Sequence, residues 1–444
     1  MRGGAAWLTL IGTLAAAGPA CKRPSDPLAR AAELELFSWW TAEGERQALE
    51  ALLNAHRARR PDVQIANIAV PNKSVDPERV LNWRMGLDDR GLPDRRIVPH
   101  PPSLVQWDLY DVSGRWLNKG VHFIPLDDLF KSAGLPGKLY DFLARDLRQN
   151  DQAGHYLGLP IGLHRENSLI FDRRALRELG IAESSLRSWD GFLAACETVK
   201  RAGRTCLALT QESWVNAIVF RAVAAATMGR EKFRAFFGRQ GDRNDPALVT
   251  AVQSYKALFD RGYVGGWDNQ RRRFVDQRGW AHVRPEGWAE AARDVHRGQA
   301  VFFIHGDWSV GVCRALGWTA EQLGVAPAPG TEGLFLVGVD GFLIPEGADN
   351  RDLAMDVLRT WTQPSTLAAY NFAKGSTPPR PDIDLSADPL ATTARDLAKA
   401  AVVMTPPIFL PADTDLLRHA AGDETLEQAV NALRAALYPA PAPP

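Results

Sequence analysis

Apolar positions in this chain fall into short runs of period two. A polar turn follows each run, and then a longer stretch with apolar residues every three to four positions. Leu34–Trp40 shows the pattern. Leu34, Leu36 and Ser38 alternate with Glu35, Phe37 and Trp39, and two indoles then stand together at Trp39-Trp40. After Thr41–Gly44, Leu49, Leu52 and Leu53 share one helical face. The same pattern predicts a strand over Val63–Val70 and a helix over Asp76–Leu87, capped by Asp76 with Pro77 in its first turn. It predicts a short strand over Arg96–Val98 and a helix from Ser103 toward Trp116. Further on it predicts strands within Gly158–Phe171, at Cys206–Leu209 and at Val301–Ile304, and an apolar run Leu334–Ile344 broken by Asp340. Helices are expected over Asp172–Leu179, Trp189–Lys200, Ala222–Met228, Asp352–Trp361 and Thr366–Phe372. Strands alternating with crossover helices make an α/β protein with parallel pairing.

In parallel α/β sheets, ligands bind beyond the carboxyl ends of strands. This chain repeatedly sets an indole or a polar group there: Trp39, Trp40 and Glu45; His100; His164 and Asn167; Trp214; Asp307 and Trp308; Asp340; and Lys374. Indoles stack on the apolar faces of a sugar ring. Carboxylates, amides and an ammonium suit its hydroxyl rim. Each indole either serves such a ligand or fills a core. His164-Arg165-Glu166-Asn167 either satisfy one another or line a cleft. Asp340, inside an apolar run, needs sugar hydroxyls or a cation as partner.

The chain has 444 residues, enough for two domains or more. With 52 basic and 52 acidic residues its formal net charge is zero, so nothing calls for nucleic acid or an anionic membrane. The first twenty residues read as a secretory signal peptide: Arg2, the apolar run Ala5–Ala17, then small residues. Cys21 follows directly, either as a lipidation site or as a bystander of ordinary secretion, and residues 21–33 form a tether. No later run approaches the roughly 20 apolar residues of a membrane span. Cys196 and Cys206 either pair in an oxidising compartment or remain buried thiols. No metal spacing, P-loop, G-x-S-x-G or H-E-x-x-H motif is present, so no metal, cofactor or catalytic residue is expected. Residues 438–444 are rich in Pro and Ala and are expected to be disordered.

Several segments carry a resemblance in order: Phe37–Thr41 with Glu45; Leu159-Pro160 with His164, Arg165 and Asn167; Gly298–Val301 leading to Gly306-Asp307-Trp308; Asp340; and Phe372 with Lys374-Gly375-Ser376. Over Leu34–Asp384 the chain resembles the periplasmic sugar-binding proteins of ATP-driven importers, family 1, in particular the glucose/mannose-type branch. The resemblance implies a two-lobe periplasmic binding protein fold (type II), with a ligand cleft between lobes joined by three crossings. It places these near Leu157–Pro160, Asp307 and Val339–Gly341. The N-terminal lobe would then hold 34–157 plus 308–338, and the C-terminal lobe 158–307 plus 339–437. It implies that Trp39 or Trp40 and Trp214 sandwich a sugar, and that Glu45, His100, Asp307, Asp340 and Lys374 bond its hydroxyls. It further implies a monomer, outside the cytoplasm, that docks on a membrane permease. The chain departs from the branch at Pro71–Asp76, at Val98 and at Pro101-Pro102. Those departures keep a second reading open, a non-transporting sensor or scaffold lipoprotein. A third is a two-carboxylate glycoside hydrolase using Glu45 and Asp307.

Overall fold

The computed structural model describes residues 32–69, 77–149, 151–275, 287–405 and 412–439. The signal peptide, Cys21, most of the tether, Pro71–Asp76 and residues 440–444 lie outside the described residues. The first strand, β1 (Ala32–Ser38), buries Leu34 and Leu36 completely, as its alternation requires. It pairs in parallel with β2 (Val63–Ala69) on one side and β3 (Leu104–Asp108) on the other. Leu334–Leu343 runs antiparallel to β3 and also to β4 (Gly158–Arg165), and Val402–Met404 completes the sheet. Helix α1 (Glu43–Arg59) crosses between β1 and β2 and sets Leu49, Leu52 and Leu53 into the core. A second sheet orders Leu323–Pro327, β5 (Ser168–Asp172), Ala300–His305 and Thr205–Leu207.

Two expectations fail between residues 96 and 116. Arg96–Val98 is not a strand, and Val98 is 84% exposed. Ser103–Trp116 is not one helix. It is β3, a turn, and the single helical turn Val112–Arg115. A short apolar run does not fix its own period. Here pairing of Leu36 with Leu104 and of Phe37 with Val105 selects the strand.

Each lobe has its own hydrophobic core. One holds Leu34 through Leu163 and returns with Phe335 through Leu397. The other holds Leu169 through Leu336 and returns with Val402 through Leu437, and also takes Ala42 and Leu390. The chain therefore crosses at 163–169, at 334–337 and at 397–402. Along Leu334–Val337, successive side chains enter different cores, Leu334 and Leu336 one and Phe335 and Val337 the other. These core memberships differ from the expected boundaries: buried residues from Val310 to Leu334 pack in the second core, and those from Val339 to Tyr370 in the first. Val310, Val312 and Cys313 pack in the second core. The helix Trp308–Ala315 also presses its glycine face on α1 and on the helix Pro364–Lys374 of the first lobe. A Cβ on Gly44 would lie 2.3 Å from the carbonyl carbon of Gly311, and one on Gly311 would lie 2.5 Å from the carbonyl oxygen of Lys374. Only glycine permits that approach.

Cys196 and Cys206 form a disulfide, with Cα atoms 5.1 Å apart, between the helix Trp189–Arg201 and its following strand. The C-terminal helix Leu426–Leu437 opens with a Thr425/Gln428 capping box. The expected disordered tail does not begin at Tyr438, whose hydroxyl donates to the Phe236 carbonyl at 2.9 Å.

Candidate functional site

A cavity of about 360 Å³ lies between the lobes, within the usual range for small-molecule sites. Its floor is a chain of buried charges contributed by four elements and the turn after a fifth. Glu45, in the first turn of α1, accepts the Ala42 N–H on Oε2 at 3.2 Å and the Lys374 ammonium on Oε1 at 3.0 Å. Lys374, at the end of its helix, stands 3.6 Å from Asp340 Oδ2. The same oxygen is 2.9 Å from His164 Nε2, and the opposite ring nitrogen, Nδ1, is 2.8 Å from Asp307 Oδ1. Asp307 Oδ2 accepts the Arg165 backbone N–H at 3.0 Å. The floor thus runs from the first lobe through two crossing strands to the end of a strand of the second lobe.

A histidine between two carboxylates has two nitrogens that both bond when the ring is protonated. Burial opposes that charge, but Asp340 and Asp307 outweigh it and raise the His164 pKa to about 9. Burial likewise opposes the Asp340 carboxylate. Lys374 and His164 outweigh it and hold its pKa below the usual value. Trp40 is 1% exposed, and its ring carries the Lys374 ammonium 4.6 Å from the ring centre. Packed on Tyr370 and Phe342, it supports the floor and reaches the cavity with part of its edge.

The walls are aromatic. From the first lobe, Trp39 meets Trp107 edge-on, with centroids 4.9 Å apart. From the second, Trp308 stands 6.5 Å from Trp214 and 6.4 Å from Trp288. Behind them His305 stacks on Trp288 at 5.3 Å and 17°, and burial drives its pKa well below the ordinary value, so the ring stays neutral. Between these walls sit Asp108 and Glu166. Asp108 Oδ1 accepts the Tyr110 N–H at 2.9 Å, and Glu166 Oε2 is 3.4 Å from the Arg221 guanidinium. Burial, then the neighbouring Glu166, Asp111 and Asp340, push the Asp108 carboxyl well above its ordinary pKa. Burial raises Glu166 too, against Arg221.

The structure gathers Trp39, Trp40, Glu45, His164, Trp214, Trp308, Asp340 and Lys374 around the cavity, with Asp307 buried beneath His164. Two expected residues are elsewhere. His100 is exposed, and its backbone bonds to Arg84 away from the cavity lining. Asn167 is fully buried and ties the crossing strands. Its amide donates to Thr331 Oγ1 and the Leu334 carbonyl, and its oxygen accepts the Leu336 N–H. Trp107 and Asp108 went unrecognised because their segment read as helix, although an indole and a carboxylate end that strand too. Trp288 opens a helix rather than ending a strand. Arg221 was legible as a lone cation on a helix buried on nearly every side, Ser213–Met228. Among the described residues, no group of three or more His, Cys, Asp or Glu is arranged to hold a metal ion.

Solved structures share this architecture. A chitin oligosaccharide binding protein matches with a TM-score of 0.69 at 17% identity, covering 92% of this chain and 98% of its own. A solute-binding protein solved with raffinose matches with a TM-score of 0.69 at 16% identity, over 92% and 99%. These likenesses show the two-lobe binding-protein fold. Among sequences, an uncharacterised ABC transporter extracellular-binding protein of Pyrococcus horikoshii is 25% identical over 362 residues, 79% of this chain and 72% of that one. A xylose/arabinose-binding protein of Haloferax volcanii is 27% identical over 376 residues, 82% and 74%. The family described as bacterial extracellular solute-binding protein matches residues 99–398, well over half the chain, and the chain belongs to that family.

Proposed function

We propose that this protein is the sugar-binding component of an ABC importer, working outside the cytoplasm. One observation carries the reading: indoles from both lobes face one cavity whose polar lining is mostly carboxylate, with an ammonium, two guanidinium groups and an imidazole. Apolar ring faces take the indoles, and hydroxyls take the charges. The cavity volume suits a monosaccharide or short oligosaccharide. The ligand sits between Trp39/Trp107 and Trp214/Trp308, and Asp108, Glu166 and Arg221 bond its hydroxyls. The buried floor holds the two lobes in register around it. Closure about the three crossings is the motion that admits and traps ligand. The closed form docks on a membrane permease, and the chain acts as a monomer held to the membrane by a lipid on Cys21. No bond is made or broken in this role.

Titration calorimetry of the mature chain with pentoses, hexoses and disaccharides tests the reading. The expected affinity is on the order of micromolar, about −8 kcal/mol. Silence across the whole panel, or a Trp214→Ala/Trp308→Ala double variant that binds as tightly as the parent, would end it.

A further inference from the structure

A second cavity, of about 430 Å³, lies on the other face of the crossing strand β4. Successive residues of a strand point to opposite faces. His164 faces the sugar cleft, and Arg165 faces this second cavity. Its walls come from both lobes. Leu186, Arg187 and Val325–Ala328 belong to the second, whereas Arg395 and Lys399 lie on the helix Thr392–Lys399, which sets Leu397 into the core of the first.

Two buried polar groups in this lining are unmet. The Arg165 side chain is 1% exposed. Its Nε donates to Ser168 Oγ at 3.0 Å and its Nη1 to Asp396, but Nη2 is buried with no hydrogen-bond partner among the described residues. Thr392 Oγ1, in the first turn of its helix, is buried and unpartnered in the same way. Native proteins rarely leave such groups unsatisfied, and an ion is one of the usual partners.

The charges of the lining point the same way. Of its acids, Asp396 is engaged by Arg165 and Glu183 by Arg173 at 2.8 Å, which leaves Glu332. Of its cations, Arg187, Arg395 and Lys399 have no acidic partner among the described residues. A guanidinium with two free N–H groups, a hydroxyl at a helix start and exposed cations at the rim suit an oxyanion. We propose that this cavity binds a small oxyanion, a phosphate or carboxylate group, on Arg165 Nη2 and the Thr392 hydroxyl, with Arg395 and Lys399 closing over it. Since its walls belong to both lobes, the bound anion bridges them. The site is independent of the sugar reading, because it uses none of the cleft's side chains.

The test is calorimetric titration of the mature, sugar-free chain with inorganic phosphate and, separately, with acetate, at constant ionic strength. Saturable one-to-one binding of either is expected, and which of the two binds names the source of the oxyanion. In an Arg395→Ser/Lys399→Ser variant, which alters only exposed side chains, the dissociation constant should rise at least about tenfold. Arg165→Gln should abolish binding, and if that variant fails to fold the exposed pair still decides. Absence of saturable binding with both anions, or an unchanged constant in the exposed-pair variant, overturns the proposal whatever the sugar panel gives.

Discussion

On the floor of the cleft, Glu45, Lys374, Asp340, His164 and Asp307 each lie within 3.6 Å of an opposite charge. On the wall above them, Asp108 accepts one backbone N–H and has no cation partner among the described residues, and Glu166 has Arg221 at 3.4 Å. Both regions are carboxylate-rich, yet their pKa values move apart. Asp340 is held below its ordinary pKa, whereas Asp108 and Glu166 are pushed above theirs. The floor is satisfied without any ligand, so its work is structural. It joins helix ends and crossing strands of both lobes. In the proposed role, the wall is where polar groups still gain from a ligand's hydroxyls.

The largest effect should come from breaking the floor. Lys374→Met leaves Glu45 buried without its cation and Asp340 with His164 alone, and should cost about 3–5 kcal/mol of stability, read by urea denaturation. A loss below about 1 kcal/mol would mean that the floor is not the structural element described here. Next comes the aromatic wall. Trp308→Ala should weaken sugar binding by about tenfold or more, ~1.4 kcal/mol, and by more than it lowers stability.

The third prediction separates floor from wall by pH. His164 titrates at about 9 in the folded chain against 6.5 for an ordinary histidine. A raised histidine pKa stabilises fully below about 6.5, and that contribution fades as pH rises through about 9. Stability of the parent should therefore fall between pH 7 and 10 more steeply than that of His164→Gln. For the wall the pH dependence runs the same way, but at pH 7 the contribution is a cost and not a gain. A carboxyl whose pKa is raised on folding loses stability as it ionises, so Asp108→Asn should be neutral or slightly stabilising at pH 7. The same substitution should still weaken the sugar about tenfold. A variant that loses stability but not affinity would exchange the roles of floor and wall. The smallest effect is expected at His100. His100→Ala should leave sugar affinity within about twofold and stability within about 0.5 kcal/mol, as for an exposed side chain away from the cavity.

How much of this was legible beforehand varies by residue. Glu45, His164, Asp307, Asp340 and Lys374 stood out because a charge beside an apolar run has few ways to be satisfied. Their partners did not stand out. The same reasoning offered Asp340 either a sugar hydroxyl or a cation, and only the coordinates supply Lys374 and His164. Trp107 and Asp108 were hidden by a run too short to declare its period. The boundary at residue 308 came from resemblance, and core packing, which sets Val310, Val312 and Cys313 in the second core, is not legible in a local pattern.

Hydrophobic periodicity is local, so the sequence by itself determined the α/β class, the strand-to-helix junctions and the abundance of indoles and charges at strand ends. Which of those junctions face one another is decided by strand pairing and by glycine contacts such as Gly44 on Gly311, between residues hundreds of positions apart. A buried carboxylate's partner is fixed by distance in space. The division into a self-satisfied floor and a less closely paired wall therefore belongs to the tertiary structure alone.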